Sequence, residues 1–140
     1  MANILLTFGF CWMIVAAMIG LVLGAGHVRH DEKLALAAKA GDLVGYNARL
    51  LWFNAQATAH GHSFLWSVTA ILVALVLDRL PFPDPTTKYI ALTMMAAMVV
   101  WTTGALTKVR ALMALADIVF FLLLLVVAGG LAMAALHAGA

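Results

Sequence analysis

The sequence has little charge, and this shortage excludes an ordinary soluble domain. Only 10% of its 140 residues are charged and 66% are hydrophobic, whereas a soluble domain has about 25% and about half, respectively. Such a chain cannot cover itself with polar groups in water. We therefore expect it to fold in a lipid bilayer as a single domain, residues 1–140. The net charge of +2 is too small to indicate a nucleic-acid partner.

Motifs for covalent cross-linking and for common catalysis are also missing. Cys11 is the only cysteine, so an intramolecular disulfide is excluded. We find no nucleotide-binding loop, no serine or cysteine nucleophile pattern and no paired-carboxylate site. Hydrolytic and phosphoryl-transfer functions are therefore disfavoured. The first apolar run has no basic residue before it, so we expect a retained helix rather than a signal peptide.

Long uncharged runs are abundant, and they predict four transmembrane helices. The predicted spans are residues 3–26, 57–80, 88–107 and 111–136, each near the roughly 20 residues that cross a hydrocarbon core of about 30 Å. All three prolines lie between Leu80 and Thr86, where we expect a tight turn because proline lacks an amide donor. The predicted fold class is all-α, an integral membrane bundle of four transmembrane helices.

The first two predicted spans are separated by a longer segment of mixed polarity, residues 27–56. It contains four basic and three acidic residues among regularly placed leucines. This pattern predicts an amphipathic helical connection, with Gly41 and Gly45 as candidate breaks.

The basic residues predict the orientation of the bundle. Six of the eight Lys and Arg residues fall in the first and third connections: Arg29, Lys33, Lys39, Arg49, Lys108 and Arg110. Connections rich in Lys and Arg lie on the cytoplasmic side. We therefore expect a protein of a prokaryotic cytoplasmic membrane with both termini outside.

Four of the five histidines are predicted to lie near the cytoplasmic face. His27 and His30 follow the first span, and His60 and His62 begin the second. On a regular helix, residues two apart point about 200° away from each other. His60 and His62 can therefore ligate one ion only if Gly61 opens the helix; otherwise just one of them faces the bundle.

This topology predicts a cofactor site in which His60, His62, His27 and His30 converge at one depth. A b-type haem needs one or two imidazoles, and a copper site needs three or four nitrogen or oxygen ligands. The leading hypothesis is thus a membrane redox or metal-binding protein that holds haem b or copper and takes part in electron transfer. Alternatively, these histidines only hydrogen-bond to lipid phosphates, water or helix ends.

Asp117 is the exception within the most apolar span. A carboxylate inside a span costs about 2.5–3.5 kcal/mol on insertion scales and usually faces protein or a water-filled cavity. We expect a partner at matching depth, which is either a histidine, a nearby threonine or a basic residue: Thr102, Thr103, Lys108 or Arg110. Asp117 would then orient a ligating histidine or pass protons. Alternatively, it is a structural group that simply pairs with a basic residue one or two turns away.

Two further functions remain open besides the redox hypothesis. Small size and the Gly20–Gly24 spacing favour close helix contacts, as in a non-catalytic accessory or assembly subunit of a larger membrane complex. Asp117 and the histidines are also consistent with a homo-oligomeric proton or ion channel or carrier. In every case the expected partners are the lipid bilayer and either further copies or another membrane subunit.

An HxH sequence at the start of a span is similar to histidine-bearing helices of haem–copper oxidases and membrane b-type cytochromes. In this chain the pattern is His60-Gly61-His62. The similarity covers one span and lacks the full histidine spacing of those proteins, so it implies no activity.

Overall fold

The computed structural model describes residues 1–138, which form an all-α bundle of four long helices. The helices are α1 (Ala2–Lys39), α2 (Leu43–Val76), α3 (Asp84–Thr107) and α4 (Arg110–Ala138), with a short 3-10 helix at Leu77–Arg79. All four are long and apolar enough to cross a membrane. The predicted all-α class with four such helices is confirmed, and the last two residues of the predicted domain 1–140 lie outside the described residues.

The turns between the helices define two ends of the bundle. The α1–α2 and α3–α4 turns lie at one end, since Thr58 of α2 and Arg110 of α4 line the same cavity. We call this the basic end, because six of the eight Lys and Arg residues belong to it. The N-terminus and the proline turn lie at the other end, the proline end, where the turn residue Phe82 packs against Gly130.

The segment expected to be a separate amphipathic connection belongs instead to two long helices. Residues 27–39 continue α1, and residues 43–56 form the first part of α2. Residues 27–39 contain no glycine or proline, so nothing in them ends the helix. Gly41 is the break, with φ at +70°, a conformation that costs glycine little. Gly45 is not a break, because its amide donates to the Asp42 carboxylate that caps α2, at 2.8 Å.

The α1–α2 hairpin is therefore longer than the rest of the bundle. Asn54 lies at the level of the α3–α4 turn, because it lines a cavity together with Lys108 and Arg110. The residues of α2 between Leu43 and Asn54 extend about 16 Å beyond that level, at about 1.5 Å per residue. Charged residues of both helices lie on this extension.

The proline turn separates α2 from α3 as expected. Pro83 has an extended backbone, and α3 begins at Asp84 with Pro85 in its first turn. Proline is well tolerated there, because the first amides of a helix have no intrahelical partner. α3 thus starts four residues before the predicted span.

α1 packs along the length of α2 because two glycines allow the backbones to approach. A Cβ built on Gly9 would lie 2.8 Å from Cγ1 of Ile71, and one built on Gly20 would lie 2.5 Å from Cε1 of His60. By contrast, a Cβ on Gly24 would have no neighbour within 4 Å. Of the predicted pair of small residues, only Gly20 makes a close helix contact within the chain.

This difference predicts opposite effects of two matched substitutions. Gly20→Ala places a methyl group against the His60 ring and should lower the free energy of unfolding by about 1–3 kcal/mol, as overpacking does. Gly24→Ala meets open space and should raise it by about 0.5–1 kcal/mol through the helix propensity of alanine. Circular dichroism during denaturation in detergent measures both. Equal effects of the two substitutions would contradict the packing described for α1.

Candidate functional site

His60 connects α2 to α1. Its Nδ1 lies 2.8 Å from the carbonyl oxygen of Ala16; because a carbonyl only accepts, Nδ1 carries the proton and donates it. The ring lies over Gly20, whose missing side chain leaves the space for it. His60 is thereby fixed between two helices by a hydrogen bond and by packing.

His62 faces a different neighbour, although it is only two residues away. Its ring stacks on Trp101 of α3, with centroids 4.5 Å apart and an interplanar angle of 16°. α2 remains helical through Gly61, so the two imidazoles point away from each other as helical geometry requires. The arrangement in which both rings ligate one ion is absent.

His27 and His30 lie nearer the hairpin turn than the other two histidines. His30 stacks on Phe53 with ring centroids 4.4 Å apart, and Nε2 of His27 lies 3.5 Å from an Asp31 carboxylate oxygen. His27 comes seven residues after Gly20, which His60 contacts. That separation corresponds to about 10 Å along α1.

The histidines predicted to converge at one depth are thus separated. α1 runs antiparallel to α2 without a bend at residue 26, so the end of its apolar run packs beside Phe53 rather than beside His60. Among residues 1–138, no group of three or more His, Cys, Asp or Glu side chains is arranged to hold a metal ion. Binding of haem b or copper by His60, His62, His27 and His30 stays a prediction.

A pair of buried hydroxyl groups, which sequence reasoning missed, connects α2 to α3. Oγ of Ser63 and Oγ1 of Thr102 are 2.7 Å apart, and the Ser67 hydroxyl donates to the Ser63 carbonyl at 2.6 Å. The available signal is the spacing of four between two serines in an otherwise apolar part of α2. Thr102 was expected near Asp117 but bonds to Ser63.

A cleft of about 410 Å³, whose surface is mostly apolar, opens at the basic end between α2, the end of α3 and the start of α4. Its lining residues alternate between polar and apolar: Leu51, Asn54, Ala55, Thr58, Ala105, Lys108, Arg110 and Met113. Two fixed positive charges therefore stand at its mouth, and two uncharged hydrogen-bonding side chains lie on its α2 wall.

His62 and Asp117 do not line this cleft, but each lies one helical turn beyond a residue that does, towards the proline end. His62 follows Thr58 by four residues on α2, and Asp117 follows Met113 by four on α4. Residues four apart share a helix face. Still deeper, Trp66 of α2 stacks on Phe120 of α4, with centroids 4.0 Å apart and an angle of 10°. His62 and Asp117 are therefore at one level, between the cleft and this aromatic contact.

Asp117 is exposed in the isolated chain and takes none of its predicted basic partners. Within the described residues, the one ion pair at 4.0 Å or less is that of His27 with Asp31. Lys108 and Arg110 remain at the mouth of the cleft. Of the predicted site residues, the structure sets His62 and Asp117 at one level, one turn beyond the cleft, and leaves His60, His27 and His30 on the α1 side of α2.

No family model, no curated protein and no solved structure matches the chain. The interpretation of the cleft therefore depends on its own geometry.

The buried hydroxyl pair predicts a non-additive response to substitution. Ser63→Ala or Thr102→Val leaves one buried hydroxyl without its partner and should lower the free energy of unfolding by about 1 kcal/mol. The double variant should cost less than the sum, with a coupling of about 0.6 kcal/mol. Denaturation in detergent measures all three.

The matched control is Thr69→Val, because the Thr69 hydroxyl bonds only to the Leu65 carbonyl of its own helix. It should show no coupling with Thr102→Val. Strict additivity of Ser63→Ala with Thr102→Val would contradict a direct bond between α2 and α3.

Proposed function

We propose that this chain is an integral membrane carrier of protons, in which His62 and Asp117 bind and release the transported proton. The observation that supports the proposal is the common level of the two side chains, since His62 precedes Trp66 by four residues, Asp117 precedes Phe120 by three, and these two rings stack on each other. A cleft at the basic end reaches to within one helical turn of this level. This function needs neither a bound metal ion nor a separate catalytic domain.

The helix lengths and the charge distribution support membrane insertion. Each of the four helices has an 18-residue window with a mean hydropathy of at least 1.6, and lipid-exposed backbone must be satisfied within each helix. Because basic residues prefer the cytoplasmic side, the basic end lies in the cytoplasm and both termini lie outside. The cleft then opens to the cytoplasm.

The chemistry of the pair suits proton transfer. An imidazole and a carboxyl group both take up and release protons without leaving their positions. A carboxylate inside a span is tolerated where it faces a water-filled cavity, and the cleft ends one helical turn from Asp117. Lys108 and Arg110 line the cleft, and their positive charges disfavour free cations there. The acid–base chemistry of the pair, rather than the charge of the cleft, favours a proton as the transported species.

The aromatic contact beyond the pair makes an alternating mechanism more suitable than an open pore. Trp66 stacks on Phe120 and is tilted against Trp101, with the latter centroids 5.5 Å apart. Together these rings close the cleft towards the proline end. Transfer of a proton to the outside therefore requires α4 to move relative to α2, so that Asp117 meets water from the other end.

This geometry favours proton transfer over the haem or copper centre. His60 and His62 contact different helices, and His27 lies about 10 Å further along α1 than the Gly20–His60 contact. Only His62, among the four histidines predicted as ligands, lies on the α3–α4 side of α2 and level with Asp117.

Proton flux into proteoliposomes that enclose a pH-sensitive dye tests the proposal. A potassium diffusion potential provides the driving force. Asp117→Asn should reduce the flux by on the order of 10²-fold, as loss of an acid–base group does. The matched control is Asp78→Asn, which removes an exposed carboxylate from the short 3-10 helix Leu77–Arg79, away from the cleft, and should leave the flux unchanged. Full flux in the Asp117→Asn protein would overturn the proposal.

A second pair of variants tests the histidine assignment. His62→Gln should slow proton flux strongly, because glutamine keeps the hydrogen-bonding capacity but cannot titrate. His27→Gln should not, since His27 lies beside Phe53 and outside the cleft. Equal effects of the two substitutions would remove His62 from the proposed path.

Water access to the cleft is tested separately from transport. In a Cys11→Ser background, Thr58→Cys should react quickly with a membrane-impermeant thiol reagent added to the basic side, because Thr58 lines the cleft. The control is Thr103→Cys, which is exposed on α3 outside the cleft lining and should face lipid. Equal labelling at both positions would contradict a water-filled cleft.

A further inference from the structure

A second cavity lies on the other side of α2 at the basic end, between the two helices of the hairpin. Its volume is about 490 Å³. The wall contains positive and apolar side chains but no acidic one: Val22, Leu23, Gly26, Arg29, His30, Lys33, Ala48, Arg49, Trp52 and Phe53. Its charge is therefore at least +3 from the fixed cations alone.

These cations have no anionic partner within the described part of the chain. The single ion pair there joins His27 to Asp31, and Asp31 does not line the cavity. Arg29 and Lys33 are four residues apart on α1, so they share one face, and Arg49 approaches from α2. Three converging cations without a carboxylate create a site for a multivalent anion such as a phosphate group.

The cavity continues into an apolar groove of about 440 Å³. Val22, Leu23 and Trp52 line both. The remaining lining residues of the groove are, with one exception, apolar: Val15, Met18, Ile19, Gln56 and Leu106. Along α1, the wall thus changes from uncharged at Val15 to basic at Arg29 and Lys33. A ligand that fits both parts must have an anionic group at one end and a hydrocarbon chain at the other.

We infer that this joined groove binds one anionic phospholipid, with the phosphate among Arg29, Lys33 and Arg49 and an acyl chain along α1. Basic pockets between transmembrane helices on the cytoplasmic side suit anionic headgroups. Arg29 is also the first fixed charge after the uncharged run of α1, which sets it at the level of the headgroups. The inference depends on the proposed membrane insertion and is independent of proton transfer by His62 and Asp117.

Trp52 gives the inference a direct readout, because it lines the groove at the junction of its basic and apolar parts and is 48% exposed. The protein is placed in phosphatidylcholine vesicles that contain a small fraction of either brominated phosphatidylglycerol or brominated phosphatidylcholine. Bromine on the acyl chain quenches tryptophan fluorescence on contact. The anionic lipid should be enriched at Trp52 by at least about tenfold over the zwitterionic one, and the difference should vanish in Trp52→Phe.

Matched charge variants distinguish a site from general attraction to an anionic surface. Arg49→Gln and Arg29→Gln should each weaken the preference by about fivefold, the usual effect of one basic residue. Lys39→Gln and Arg79→Gln remove basic residues outside the groove and should leave it unchanged. Equal quenching by both lipids, or equal loss in all four variants, would overturn the inference.

In a last part of the same experiment, inorganic phosphate is added as a competitor of the lipid. Phosphate added to the vesicles should not displace the brominated phosphatidylglycerol, because the apolar groove contributes to binding of the lipid alone. Displacement by millimolar phosphate would show an anion site without a lipid. Because proton flux is measured in a separate assay, loss of flux in Asp117→Asn with retained lipid preference would leave this inference intact.

Discussion

The register of α2 against α3 and α4 depends on one group of aromatic contacts. Trp66 stacks on Phe120 of α4 and contacts Trp101 of α3, and the His62 ring stacks on the same Trp101. Large rings are incompressible, so a shift of α4 by one turn would break these stacks. Because Asp117 lies one turn before Phe120, the same contacts that hold the helices together set Asp117 level with His62.

The fold could be predicted from the sequence to a useful degree, because hydrophobic length is a local property. The runs without charge mark all four helices, and the prolines mark the turn before α3. The course of residues 27–56 could not be predicted in the same way. Charged residues marked the end of a span, but the helix itself continues until Gly41, where a positive φ is required. Charged residues indicate where a helix leaves the membrane, whereas the helix itself ends where the backbone adopts a non-helical conformation.

The candidate site was predicted only in part, since helix pairing is not a local property. Asp117 was identified from its cost in an apolar helix, and a histidine was among its expected partners. Which histidine lies on the same side of α2 as Asp117 depends on helix rotation and register: α2 directs His60 to α1 and His62 to Trp101. The Ser63–Thr102 bond was missed for the same reason. The sequence shows which residues share a face of one helix, but it does not show which neighbouring helix that face contacts.

The two sides of α2 at the basic end have different chemistry. On the α4 side, a cleft lined by two cations ends one helical turn from the level of His62 and Asp117; on the α1 side, a basic cavity continues into an apolar groove. We assign the proton path to the first and an anionic lipid to the second. A bound lipid would hold the α1–α2 hairpin at the membrane surface and leave α4 free to move against α2.

The measurement that tests the account most directly is chemical cross-linking across the cleft. In a Cys11→Ser background, His62→Cys combined with Asp117→Cys should be joined within one chain by a short bifunctional thiol reagent. His62→Cys combined with Leu115→Cys should not, because Leu115 lies on another face of α4 and is 58% exposed. Cross-linking of the second pair but not the first would contradict the common level of His62 and Asp117 on which the proposed proton path depends.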